Sequence, residues 1–290
     1  MIHTPVLLKE IIELLDLKEG EIIIDGTAGS GGHSKAILQK IGKTGQLLLI
    51  DWDKESVANL KKAFAGYSNV SIIQSNYAEL PGIIAENHFP KADSLLLDLG
   101  FSSEQLEKSG RGFSFQKEDS LLMTYSDTSE PLQEFLEHAS ISEMSDIIRK
   151  FGEERYAERI AEAIYAKRRG ISSSRQLGEI IKGAVPKNYE RGRIHPATRT
   201  FQALRIYLNK ELENLEKVLS ALDQILTPGG RVAIISFHSL EDRIVKNYFR
   251  ELAKKGRIKI ITKKPIIASP EEVALNPRAR SAKVRAAMLL

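Results

Sequence analysis

Short apolar segments alternate with helical patterns along the first hundred residues of the chain. Four apolar runs have the length of buried strands, and they lie at residues 21–25, 46–51, 70–74 and 93–98. Helical spacing of apolar residues is found near 33–41 and 53–65, and a further helix is predicted from Thr4 to about Leu17. Because strands covered on both faces are almost wholly apolar, this alternation predicts a parallel, doubly wound α/β sheet.

A different pattern follows between residues 104 and 203, where helical periodicity continues without a convincing buried strand. A long helix, predicted from Pro196 to about Leu226 and ended by Pro228-Gly229-Gly230, leads back to the sheet. Strand patterns then return at residues 231–236, 257–262 and 283–289. The predicted domains are a sheet domain, residues 1–106 and 204–290, and a helical insertion, residues 107–203.

The segment between the first strand and its helix carries the strongest chemical signal. It runs Asp25-Gly-Thr-Ala-Gly-Ser-Gly-Gly-His33-Ser34. Glycine permits a positive φ and a close ligand, and the helix that follows offers unpaired N–H groups. Gly29 and Gly31 match a dinucleotide fingerprint, but its third glycine is Ser34. The acid-x-x-x-Gly-x-Gly spacing is similar to the first motif of S-adenosylmethionine-dependent methyltransferases; a tight surface turn is the alternative.

Two further strand ends carry residues suited to an adenosyl group. Ligands bind at the carboxyl ends of the strands in open α/β sheets. Asp51 follows the second strand, and its carboxylate can accept both hydroxyls of a ribose. A helix N-cap is the other role for Asp51, although Asp53 suits that role better. Tyr77 follows the third strand and either lies against an adenine or is a half-buried core residue.

The fourth strand ends in Asp98-Leu-Gly-Phe101, a segment suited to methylation of an exocyclic amine. The lone pair of such an amine is delocalised into the base, so an acceptor for its N–H helps to localise the pair. Asp98 provides that acceptor, Gly100 permits close approach, and Phe101 can stack on an extruded base. A strand-terminal turn with a buried Phe is the alternative.

Basic and aromatic residues outside the sheet motifs indicate a nucleic-acid partner. Five basic residues surround Tyr189 within thirteen positions, namely Lys187, Arg191, Arg193, His195 and Arg199. A second basic run comprises Arg278, Arg280, Lys283 and Arg285. Such loops suit a phosphate backbone and unstacked bases, although a charge run is usually only a solvated surface and charge does not distinguish RNA from DNA. His238, after the fifth strand, is a candidate substrate contact, while Ser239 and Asp242 predict a helix start beside it.

The composition narrows the class of protein only slightly. The chain of 290 residues has a net charge of +4, which is compatible with nucleic acid without requiring it. It contains no Cys, which excludes disulfides, a Cys-ligated zinc site and a thiol nucleophile. We predict no metal site, no membrane span and a cytoplasmic location.

Eight segments together resemble one enzyme family over the chain from residue 3 to its end. They start at His3 (His-Thr-Pro-Val-Leu-Leu), Asp25 (the glycine loop), Leu97 (Leu-Asp-Leu-Gly-Phe-Ser-Ser), Arg111 (Arg-Gly-Phe-Ser-Phe), Tyr156 (Tyr-Ala-Glu-Arg-Ile-Ala), His195 (His-Pro-Ala-Thr-Arg-Thr-Phe-Gln-Ala-Leu-Arg), Ser236 (Ser-Phe-His-Ser-Leu-Glu-Asp-Arg) and Asn276 (Asn-Pro-Arg-Ala-Arg-Ser). The family is the H-type bacterial 16S ribosomal RNA (cytosine-N4)-methyltransferases.

The resemblance implies a class I S-adenosylmethionine-dependent methyltransferase fold, with a mostly parallel sheet and an antiparallel last strand. It implies methyl transfer to N4 of a cytidine in the decoding region of 16S rRNA, within the small ribosomal subunit or a late precursor. A homodimer is left open. Cofactor contacts are implied at Gly31, Gly32, His33, Asp51, Tyr77, Asp98 and Gln105. The chain departs from the family at Ser120–Ser126, where an Asp and an Arg are replaced by Leu122 and Thr124.

Three alternatives remain at this point. A nicotinamide-dependent dehydrogenase uses a similar sheet, but the absent third glycine and the lack of an obvious proton relay disfavour it. A methyltransferase for DNA or a small molecule is the second alternative. The third is an RNA-binding protein without catalytic activity.

Overall fold

The computed structural model describes residues 5–100 and 109–290. The chain divides into two compact units, one formed by residues 1–100 and 212–290 and the other by residues 101–211. We call them the sheet unit and the helical unit. The boundaries predicted from the sequence lay at 106/107 and 203/204.

The sheet unit contains one eight-stranded sheet. Its strands are β1 (Ile22–Asp25), β2 (Gln46–Asp51), β3 (Val70–Gln74), β4 (Ala92–Asp98), β5 (Leu226–Ser236), β6 (Ile258–Ile260), β7 (Ile266–Ile267) and β8 (Lys283–Leu289). They are arranged in the order β3-β2-β1-β4-β5-β8-β6, and β7 pairs with β8. The first five strands are parallel and β8 is antiparallel. The predicted doubly wound fold with an antiparallel last strand is confirmed.

Helices of the sheet unit cover the strands and explain their apolar sequences. They are α1 (Leu8–Leu15), α2 (Gly32–Ile41), α3 (Lys54–Ala63) and α4 (Leu80–Glu86) before the helical unit. Along β4, Leu96 belongs to one buried cluster, while Leu95 and Leu97 belong to the other. Because side chains alternate across a strand, both faces of β4 must be apolar.

The helical unit has no strand among its described residues. Its helices are α5 (Leu132–His138), α6 (Ile141–Gly152), α7 (Ala157–Lys167), α8 (Ser174–Ala184) and α9 (Ala197–Leu208). Helices α6 and α9 pack together closely. A Cβ on Gly152 would lie 2.7 Å from the Arg199 carbonyl oxygen, so only glycine permits this approach.

The last helices are α10 (Glu211–Ser220), α11 (Leu222–Ile225), α12 (Ser239–Lys254) and α13 (Pro270–Leu275). The prediction of a single helix over residues 196–226 is therefore wrong, because helices α9, α10 and α11 lie in this range. The first break follows Asn209, whose side-chain amide donates to the carbonyls of Met123 and Arg205, and Lys210 has φ of +50°. The contact with Met123, which is distant in the sequence, cannot be inferred from local periodicity.

Two predicted boundaries also move. Helix α1 starts at Leu8 because Leu7 has φ of +53°, and Thr4 lies outside the described residues. Strand β5 starts at Leu226 and therefore includes Pro228-Gly229-Gly230, which were predicted to precede it. Its pairing with β4 shifts register between Ala92 and Ser94, as at a β-bulge. Over residues 5–100 and 109–290, none of the helices combines the length and apolar character needed to cross a membrane.

Candidate active site

The loop after β1 is organised by the carboxylate of Asp25. This buried side chain accepts hydrogen bonds from Ser34 Oγ at 2.6 Å and from the Thr27 N–H at 3.2 Å. Burial raises the pKa of Asp25, and the Ser34 hydrogen bond opposes that rise. Ser34, which stands where a dinucleotide fingerprint has glycine, therefore closes the turn from its helical side.

The glycines of the loop are required by backbone conformation and by packing. Gly29 and Gly31 have φ of +51° and +78°. A Cβ on Gly31 would lie 2.8 Å from the Phe64 ring, and one on Gly32 would lie 2.6 Å from Pro5 Cγ. Helix α2 has no side-chain cap in the described part of the chain, so its first N–H groups are suited to a polar ligand.

Asp51 connects the end of β2 to the glycine loop. Its Oδ2 accepts the Gly29 N–H at 2.7 Å, and its Oδ1 accepts the Asp53 N–H at 2.9 Å. Burial raises the pKa of Asp51 to about 6. Each oxygen keeps a second lone pair, so a ribose can still be bound. Asp53 caps α3 through the N–H groups of Glu55 and Ser56, which assigns the capping role to Asp53.

Tyr77 lies beside the same loop. It begins a short 3-10 turn after β3, Tyr77–Glu79, and packs partly buried against the apolar core. A Cβ on Gly26 would lie only 3.2 Å from Tyr77 Cβ. The side chain is therefore close enough to the loop to contact a ligand there, and its packing also fits a core tyrosine. The adenine contact stays a prediction.

Asp98 ends β4 on the other side of β1. Its N–H donates to Thr27 Oγ1 at 2.6 Å, and its Oδ2 lies 3.6 Å from His33 Nδ1. The side chain as a whole is 25% exposed, whereas Oδ1 is buried and lacks a hydrogen-bond partner among the described residues. Burial raises the pKa of Asp98 to about 6, and the nearby His33 opposes that rise.

The glycine loop is thus surrounded by three carboxylates, those of Asp25, Asp51 and Asp98. Asp98 Oδ1 is buried and has no partner in the part of the chain that the structure describes, so a donor or a cation at this oxygen would stabilise it. A sulfonium cation carrying a ribose supplies both a positive charge and hydroxyl donors. The residues present therefore fit S-adenosylmethionine: Asp51 offers lone pairs to a ribose, and the first turn of α2 offers N–H groups to a carboxylate.

His238 has a structural role that the sequence assigned to its neighbours. It is the N-cap of α12: its Nδ1 accepts the Glu241 N–H at 3.4 Å, and Glu241 Oε2 accepts the N–H groups of Phe237 and His238. The helix predicted to open at Ser239 does begin there, and its N-cap is the residue before it. Histidine is an uncommon cap, because Ser, Thr, Asp and Asn dominate this position. Its substrate contact stays a prediction.

The basic residues predicted to contact RNA divide into two groups within the helical unit. His195 stacks on Phe115 with ring centroids 4.4 Å apart, and Arg199 Nη1 lies 3.1 Å from Glu190 Oε1. Burial lowers the pKa of His195, which favours its neutral form. Arg191 and Arg193 are exposed. Phe101 and Gln105 lie outside the described residues.

The sequence missed the residues that hold the site together. Thr27 receives the backbone N–H of Asp98, Ser34 fixes Asp25, and Pro5 packs on Gly32. Thr27 and Ser34 could have been found as small hydroxyl residues inside a glycine loop. The contact between Pro5 and Gly32 could not, because the two residues lie in different segments and a local sequence pattern does not show which segments pack together.

This sheet order, with an acidic strand end and a glycine loop at its first strand, defines the class: a doubly wound, S-adenosylmethionine-dependent methyltransferase. A family model described as the MraW methylase family matches residues 1–289, and the chain belongs to this family. The nicotinamide-dependent dehydrogenase is accordingly not favoured.

Several known proteins are similar to this chain. The ribosomal RNA small subunit methyltransferase H of Halothermothrix orenii is 43% identical over 98% of this chain and 97% of its own length. The protein of the same name from Syntrophus aciditrophicus is 43% identical over 98% of this chain and 96% of its own length. The solved structure of an rRNA methylase from Streptococcus thermophilus, 12% identical, covers 100% of this chain and 99% of its own with a TM-score of 0.44.

Proposed function

We propose that this protein transfers a methyl group from S-adenosylmethionine to N4 of a cytidine in the decoding region of 16S ribosomal RNA. The observation that carries the proposal is the buried Oδ1 of Asp98, which has no hydrogen-bond partner within residues 5–100 and 109–290, beside the glycine loop of a member of the MraW methylase family. The names of the two relatives described above identify them as methyltransferases of small-subunit ribosomal RNA. A carboxylate at this strand end supplies the acceptor that an aromatic amine needs.

S-adenosylmethionine, when bound, supplies a methyl group on a positively charged sulfur. Asp51 accepts the ribose hydroxyls and thereby orients the adenosyl group. Asp98 accepts an N–H of the cytosine amine, which directs the nitrogen lone pair away from the ring system and towards the methyl carbon. Gly100 has φ of +100° and lies beside Phe237, so the backbone adopts this conformation at Gly100 without a Cβ that would approach a base.

The helical unit is the proposed RNA-recognition domain. Arg191 and Arg193 are exposed in a short 3-10 turn and its end, where Glu190 and Arg191 have positive φ. Exposed guanidinium groups contact phosphate without needing to break an internal ion pair. We place the substrate within the small ribosomal subunit or a late precursor in the cytoplasm. A homodimer stays a prediction, to be tested by light scattering in solution.

The direct test is methylation of defined substrates by the purified chain. Small ribosomal subunits, late precursors, naked 16S rRNA and DNA are incubated with labelled S-adenosylmethionine, and the modified nucleotides are located by mass spectrometry. We expect one N4-methylcytidine in the decoding region, and no label with the Asp98→Ala variant, whose RNA affinity stays nearly intact. Label only in DNA or on another base would overturn the proposal, as would binding of NAD without binding of S-adenosylmethionine.

A further inference from the structure

The imidazole of His33 is held in one tautomer. His33 lies in the first turn of α2 and is buried, and its Nε2 lies 2.9 Å from the carbonyl oxygen of Val6. A carbonyl only accepts, so Nε2 must carry the proton of this hydrogen bond. Nδ1 of the neutral ring therefore has a lone pair and no hydrogen.

That lone pair belongs to the nitrogen nearest Asp98. Nδ1 lies 3.6 Å from Asp98 Oδ2, and the His33 side chain is only 8% exposed. A carboxylate and a basic nitrogen at this separation repel each other until one proton is added, after which the two groups attract each other. The pair is consequently a receptor for a single proton. The other carboxylate oxygen, Asp98 Oδ1, has no hydrogen-bond partner among the residues that the structure describes.

We propose that His33 holds, through Asp98, the proton that the substrate amine releases on methylation. The inference rests on the proposed function and extends it. As the bond between the methyl carbon and sulfur breaks, its electron pair stays on sulfur, which becomes a neutral thioether. The nitrogen lone pair forms the new N–C bond, one N–H proton moves to Asp98, and Asp98 shares it with His33 Nδ1. His33 acts through Asp98 and is a positioning residue in this step.

The charges around the pair favour proton uptake. Among the described residues, Asp25 of β1 and Glu241 of α12 are the acidic groups whose charges act on Asp98, together with His33 of α2. Both carboxylates disfavour a further negative charge nearby. Burial raises the pKa of Asp98 to about 6, with Asp25 and Glu241 adding to that rise. A proton arriving from the amine is therefore stabilised on the pair.

The first test uses the free protein and no RNA. Nitrogen-15 spectra of labelled histidine identify the protonated ring nitrogen, and carbon-13 spectra follow the Asp98 carboxyl carbon between pH 4 and 8. We expect a proton on His33 Nε2 and a lone pair on Nδ1 at pH 8, and a change of the Asp98 carboxyl signal around pH 6. In Asp98→Asn, whose side-chain amide can donate to Nδ1, the Nδ1 signal at pH 8 should show an accepted hydrogen bond that the wild-type signal lacks. A proton on Nδ1 instead, or the same Nδ1 signal in Asp98→Asn and in the wild type, would overturn the inference.

The second test separates proton transfer from binding. His33→Gln keeps a donor for the Val6 carbonyl but offers no basic nitrogen. With saturating substrates, we expect its single-turnover rate at pH 7.5 to fall about 100-fold, with a smaller loss at pH 9. Affinity for S-adenosylhomocysteine, measured by calorimetry, reports separately any loss of the cofactor contact implied at His33, and saturating cofactor removes that loss from the measured rate. His88→Gln, an exposed histidine of the sheet unit, is the matched control.

An unchanged rate and pH profile in His33→Gln would refute the role of His33. If the wild-type protein methylates no RNA, the proposed function fails, while the spectra of the free protein still decide whether the pair shares a proton. If His33→Gln does not fold, Asp98→Asn retains His33 and keeps the spectroscopic test decisive.

Discussion

At the scale of single residues, two carboxylates of the site have raised pKa values, which lower the stability of the folded protein at neutral pH. Asp98 and Asp51 both have a pKa of about 6 in the folded protein, against 3.8 for an ordinary aspartate. A raised carboxyl pKa means that folding disfavours the charged form. Because the native state then binds more protons between pH 4 and 6, the free energy of unfolding falls as pH rises through that interval.

Removing the charge of Asp98 should therefore stabilise the protein. We expect Asp98→Asn to raise the free energy of unfolding at pH 8 by roughly 1–3 kcal/mol, and to have little effect near pH 4, where the wild-type carboxyl is neutral. Urea unfolding at both pH values measures this. The control is Asp93→Asn in the same strand, whose carboxylate accepts the Ile22 N–H, and which should show no such gain. Destabilisation of Asp98→Asn at pH 8 contradicts the argument.

Asp51 leads to a second prediction, concerning ligand affinity. Protonation below about pH 6 removes a charged acceptor from the ribose hydroxyls, so S-adenosylhomocysteine should bind about tenfold more weakly at pH 5 than at pH 7.5. Calorimetric titration at the two pH values measures the change. Asp51→Asn should bind weakly at both, while Asp98→Asn should retain the dependence. If the dependence disappears with Asp98→Asn instead, the titrating group is Asp98.

At the scale of elements, the start of α12 shows a reciprocal cap built on an unusual residue. His238 and Glu241 exchange side-chain and backbone hydrogen bonds, and His238 Nε2 also lies 3.2 Å from Glu241 Oε1. The same segment follows β5, so the cap fixes how the chain leaves the sheet. A histidine in this position serves stability before any contact with substrate.

The capping role predicts a graded effect of substitution. His238→Ala should lower the free energy of unfolding by about 1 kcal/mol, whereas His238→Asn should recover most of that loss because Asn is an effective cap. Urea unfolding of the two variants measures it. Methyl transfer by His238→Asn then tests the substrate contact separately: a folded variant with reduced transfer supports that contact. Equal stability of both variants would contradict the cap.

At the scale of the whole molecule, the fold decides which basic residues remain for a partner. Arg285 is buried and its guanidinium pairs with the Asp242 carboxylate at 2.7 Å, with Lys283 4.0 Å away on the same group. Two members of the second basic run, Lys283 and Arg285, thus face a carboxylate within the sheet unit. Arg191 and Arg193 of the helical unit are exposed to solvent, so a partner can reach their guanidinium groups.

RNA affinity should follow this division. Changing Arg191 and Arg193 together to Glu should weaken binding of 16S rRNA at least about tenfold and reduce the slope of log affinity against log salt by about 1 to 2. Filter binding at several salt concentrations gives both values. The matched control changes the exposed Lys61 and Lys62 of α3 to Glu, with the same charge difference. Equal losses in the two double variants would show a general charge effect only.

Sequence analysis correctly located most of the strands and the residues at their ends. Asp25, Asp51, Tyr77 and Asp98 each end or follow a parallel strand, and such ends meet at one edge of the sheet. Strands covered on both faces are recognised in the sequence as apolar runs. The residues at their ends can therefore be predicted without knowledge of the tertiary structure. The short β7 strand, Ile266–Ile267, carried too little pattern to be predicted.

The sequence by itself determined the order of the elements, the family and the set of carboxylates at the strand ends, because these depend on local periodicity and motif. Only the tertiary structure decided the tautomer of His33, the capping role of His238 and the burial of Arg285. Each depends on a partner, or on a burial, that arises where segments far apart in the chain are brought together. Hydrogen-bond partners and exclusion of water exist only once the chain is packed.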